Sequence, residues 1–118
     1  ITYDPDLWPM KGKTGSARLA LTTGCPVVPI GQWGAQELMP GRKPRFPKLL
    51  PRKTLHVAAG EEVLLDDLRS QPVTAATLDE ATTRIMDAIT VLVAELRDAV
   101  PPSYRYDPRS DQTSGDPT

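Results

Sequence analysis

The chain has 118 residues, 39% hydrophobic and 25% charged, with a mean hydropathy of -0.34 and a formal net charge of -1. That is room for one small domain or for part of a larger one. Thirteen prolines exclude an all-helical bundle, no apolar run approaches the about 18 residues of a membrane-spanning helix, and a single cysteine, Cys25, excludes an internal disulfide and fits a reducing compartment.

Residues 1–13, "ITYDPDLWPMKGK", are polar and hold Pro5, Pro9 and Gly12, so they read as a loop. Because the first residue is Ile1 and not Met, the chain is expected to start inside a longer reading frame or after processing. Thr14 is placed to cap a helix with the body "GSARLALTTG", whose apolar side is Ala17, Leu19, Ala20 and Leu21. Gly24 is its natural stop, and Pro26 forbids continuation. "VVPIGQW" then reads as a strand, nearly continuous in apolar residues as in a strand covered on both faces. Pro29 cannot donate to a ladder and belongs at an edge, a bulge or a strand end.

Residues 34–53 form a proline-broken basic loop, followed by a second strand, "TLHVAAG", with Leu55, Val57 and Ala59 on one face. "EEVLLDDLRS" reads as a connector or a short strand and turn. Thr77-x-x-Glu80 reads as a capping box that opens the longest helix, from residue 77 to about residue 99. Leu78, Ala81, Ile85, Ala88, Ile89, Leu92 and Leu96 share one face of it, and Glu80 and Arg84 form an i,i+4 pair. Pro101 and Pro102 stop the helix. Residues 101–118 are polar and turn-rich and are expected to form a disordered tail after a domain of residues 1–100. The order helix, strand, strand, helix gives an α/β class. Two strands make a poor sheet alone, so a larger α/β domain with further strands upstream is expected.

The charge is uneven. Residues 1–60 carry nine Lys and Arg against three Asp and Glu, a balance of +6, and residues 61–118 carry five against twelve, a balance of -7. An anionic ligand is therefore sought in the first half. There, Gly12-Lys13-Thr14 resembles the end of a phosphate loop. G-x-x-x-x-G-K-[ST] demands a glycine at position 7, where Leu7 stands, and a strand before it, where two prolines stand. Nucleotide binding of that kind is argued against. The local physics remains: Gly12 and Gly15 admit an anion close to the backbone, Lys11 and Lys13 supply charge, and the next helix directs its N–H groups to the same place. The plain alternative is a lysine-bearing loop with no ligand.

Joined in this order, "MKGKTGSARLALTTGCPVVPIGQWGAQE" resembles the segment of bacterial 1-acylglycerol-3-phosphate acyltransferases that follows their F-P-E-G-T-R block. Lys13 and Gly15 match the lysine and glycine ahead of an "A-R-L-A-L" helix, and Val28, Pro29 and Ile30 match the fourth conserved block within a "G-x-P-V-V-P-I" strand. "RKTLHVAAGEEV" resembles the family's late strand, with Glu62 where proline is usual, and "TLDEATTRIMDAITVLVAELR" its closing helix. The resemblance covers residues 1 to about 107. It implies a mixed sheet flanked by helices, the C-terminal part of a glycerolipid-acyltransferase fold. It also implies transfer of a fatty acyl chain from acyl-CoA or acyl-ACP, as co-substrate, to 1-acylglycerol-3-phosphate or a related lysolipid in phospholipid biosynthesis. Peripheral association with the cytoplasmic face of the plasma membrane follows from the same resemblance.

The family's catalytic pair is H-x4-D, a histidine base on the acceptor hydroxyl with an aspartate that holds its tautomer, and its E-G-T-R arginine grips the substrate phosphate. Neither block is in this chain, so no catalytic residue is assigned and the chain is expected to be inactive alone. His56 and Glu61 have the H-x4-acid spacing but lie in the late strand, in the wrong order for that pair. No cofactor or metal is expected. In the loop, Arg42, Lys43, Arg45 and Lys48, with Arg52 and Lys53, suit an anionic membrane surface, with Phe46, Leu49 and Leu50 dipping beside them. Aromatic interleaving is too thin for nucleic acid. A non-catalytic module that docks this loop on membranes is the alternative function. Cys25 reads as a small packed residue, and Trp8 and Trp33 as core.

Overall fold

A computed structural model describes residues 4–34 and 54–109. In chain order these form α1 (Gly15–Thr23), β1 (Ile30–Trp33), β2 (His56–Ala59), α2 (Asp66–Arg69) and α3 (Ala75–Arg97). The class is α/β: a two-stranded antiparallel sheet with helices packed on it.

In α1, Ala17, Ala20 and Leu21 are buried, while Leu19, expected beside them, is 63% exposed. Gly24 ends the helix as the sequence predicts, at φ 71°, where its N–H donates to the Ala20 carbonyl at 3.1 Å. Arg69 at the end of α2 reaches across and donates to the Cys25 carbonyl at 2.6 Å, closing the same helix end. Cys25 itself is exposed, not packed as expected, because it stands outside the helix after its cap.

The strands pair Ile30 with Ala59, Gly31 with Ala58, Gln32 with Val57 and Trp33 with His56. Pro29 stands just before β1, where its carbonyl accepts from the Gly60 N–H at 2.9 Å and its missing N–H costs no ladder bond. A Val63 N–H to Val27 carbonyl bond at 2.8 Å extends the contact past the proline. The expected mixed sheet is not what the described residues form, since this register is antiparallel throughout. Coverage differs too. Gly31 faces α3 so closely that a Cβ there would lie 2.8 Å from the Leu92 Cβ. The other face is bare: Ile30 is 59% exposed and Val57 61%. Leu55, Val57 and Ala59 do share one face, and that face is turned away from the helix.

Residues 61–65 run into α2, a single helical turn where a connector or strand was expected. Val63, Leu65 and Leu68 are buried there against α1 and the first half of α3. Leu65 is fully covered, worth about 1.5–3 kcal/mol of burial. α3 starts two residues before the predicted position. Thr74, in extended geometry, is the N-cap and its hydroxyl accepts from the Thr77 N–H at 3.3 Å. Thr77 is therefore inside the first turn, donating its own hydroxyl to the Pro72 carbonyl, and Glu80 serves Arg84 and not a capping box. The helix ends at Arg97, with Asp98 in the left-handed region at φ 48°.

Trp8 is buried and Trp33 half-buried. Their rings hold the Arg97 guanidinium between them, its carbon 4.0 Å from one centroid and 4.2 Å from the other. This contact ties the N-terminal loop, β1 and the end of α3 together. Residues 101–109, expected to open a disordered tail, are laid along α3, where Arg105 pairs with Asp87 and reaches Thr90. Residues 110–118 lie outside the described residues.

Candidate functional site

The loop before α1 and the middle of α3 enclose a cleft of about 310 Å³. Gly12, Lys13, Gly15 and Ser16 form its rim, and Thr82, Ile85, Met86 and Ile89 form its floor. Gly12 is there for contact: a Cβ would meet the Met86 side chain at 3.0 Å and Thr82 at 3.1 Å. Gly15 has open space around it, so nothing crowds the start of the helix.

The rim is electropositive for two reasons. Lys13 is exposed on it, and α1 begins there with no acidic residue in its first turn. Thr14 occupies the cap position but in helical geometry, and its hydroxyl makes no capping bond. The first i,i+4 bond of the helix runs from Arg18 to the Thr14 carbonyl at 2.9 Å, so the N–H groups ahead of it have no carbonyl partner within the helix. Polar rim and apolar floor suit an anionic head attached to a hydrocarbon body.

Of the predicted phosphate-binding residues, Gly12, Lys13 and Gly15 come together on this cleft. Lys11 is engaged elsewhere: its ammonium lies 3.4 Å from the Asp107 carboxylate, and its N–H donates to the Tyr106 carbonyl at 2.8 Å. Hydrogen bonds from the Arg109 N–H and, next, from its guanidinium, together with Lys11, hold the Asp107 carboxyl below its usual pKa. Val28, Pro29 and Ile30 do not line the cleft; Pro29 is buried, and Val28 and Ile30 stand on the bare face of the sheet. Arg42, Lys43, Arg45 and Lys48 lie outside the described residues, as do Arg52 and Lys53. His56 is exposed at the start of β2, and Glu61 is exposed beyond its end. Among the described residues no group of three or more His, Cys, Asp or Glu side chains gathers.

A second cleft, of about 390 Å³, lies between Trp8 and Pro9, the Asp87–Thr90–Val91 part of α3, and residues 101–105. Arg97, Arg105 and Asp107 were not legible as site neighbours, because their partners are 91, 18 and 96 residues away in the chain. The apolar floor was visible as helix periodicity at Ile85 and Ile89, but nothing in the sequence pairs it with Gly12.

The chain matches no protein-family model, no curated protein and no solved structure.

Proposed function

We propose that this chain is the C-terminal part of a glycerolipid acyltransferase domain. It would contribute one wall of the site at which a fatty acyl chain passes from acyl-CoA or acyl-ACP to 1-acylglycerol-3-phosphate or a related lysolipid. The observation that carries this reading is the cleft itself, where Lys13 and the free start of α1 stand over Ile85, Met86 and Ile89. A phosphate would sit at the rim, held by backbone N–H groups and one ammonium. A hydrocarbon chain would lie on the floor. The sheet supports the larger domain: two strands with one bare apolar face make an incomplete layer.

The reaction's base and its phosphate-gripping arginine would come from residues ahead of this chain, in keeping with the H-x4-D and E-G-T-R blocks of the family it resembles. In this arrangement Lys13 binds and does not move protons. In the complete protein, Lys13→Ala therefore raises the KM for 1-acylglycerol-3-phosphate by about tenfold, the loss of one charge-assisted contact. An unchanged KM and kcat would remove Lys13 from the site.

A second reading, a module docking on anionic membrane surfaces, is favoured by the bare face of Val28, Ile30, Leu55 and Val57, from whose strands the basic segment departs and returns. No helix among the described residues is long and apolar enough to cross a membrane. Salt-sensitive flotation of this chain with phosphatidylglycerol vesicles, without acyl transfer by the complete protein, would select the module.

A further inference from the structure

We draw no further inference here: the strongest candidate, the bare apolar face of the two-stranded sheet at Val28, Ile30, Leu55 and Val57, carries nothing because nothing in the structure shows what covers it.

Discussion

Replacing Arg97 by Met keeps most of the apolar stem and removes the guanidinium from between two indole rings. The loss has three parts. Each ring lies within about 6 Å of the cation, the range in which such a contact is worth about 0.5–1 kcal/mol when exposed and about 2 kcal/mol when desolvated. Trp8 is buried and Trp33 half-buried, so about 1 kcal/mol apiece is a fair figure. Arg97 also donates to the Asp6 carbonyl at 2.9 Å, worth about another 1 kcal/mol. Together the variant should lose about 2–3 kcal/mol, and its Tm should fall by at least about 8 °C. Urea unfolding followed by tryptophan emission is the natural assay, because the only two tryptophans are the two rings concerned. Native emission should change and acrylamide should reach the rings more readily in Arg97→Met. Arg97→Lys should recover only part of the stability, since an ammonium lacks the planar face that stacks. Full recovery by lysine, or a loss below about 0.5 kcal/mol with unchanged emission, would refute the stacking argument.

Other perturbations probe separate parts of the fold. Thr74→Ala removes the hydroxyl that caps α3 and should cost about 1 kcal/mol in denaturant unfolding, whereas Glu80→Ala, which the sequence alone marks as half of a cap, should cost less. Gly31→Ala would force its Cβ to within 2.8 Å of the Leu92 Cβ and 3.3 Å of the Val93 backbone nitrogen, so α3 must lift from β1 at a cost of about 1–3 kcal/mol in the same assay. The Asp67 carboxyl is held below its ordinary pKa first by its hydrogen bonds to Arg84, whose oxygens and nitrogens lie 2.7 and 2.9 Å apart. A lowered folded-state pKa means stability that is present above the unfolded value of about 3.9 and is lost as pH falls through the folded one. The gap in urea midpoint between wild type and Asp67→Asn should thus be constant above about pH 5 and close at lower pH, and a gap independent of pH would rule the pairing out.

Local chemistry settled a good deal of this protein before any contact was known. Gly24 ends α1 because only a residue free of a Cβ enters the left-handed region cheaply there, and Pro26 prevents its resumption. Pro29 falls at a strand end because it lacks an N–H, and Glu80 meets Arg84 because i and i+4 share a helix face. These facts concern residues within a few positions of one another. Tertiary structure decided the rest. The cap of α3 moved to Thr74 because Thr77 found the Pro72 carbonyl. The sheet covered one face and bared the other because Gly31 let α3 approach on its side alone. The cleft exists because Gly12 rests on Met86, and Lys11 turns from it because Asp107 returns from 96 residues away. Periodicity and capping rules report which face of an element is apolar. Which distant side chain meets it depends on how the whole chain closes on itself, and no local pattern carries that information.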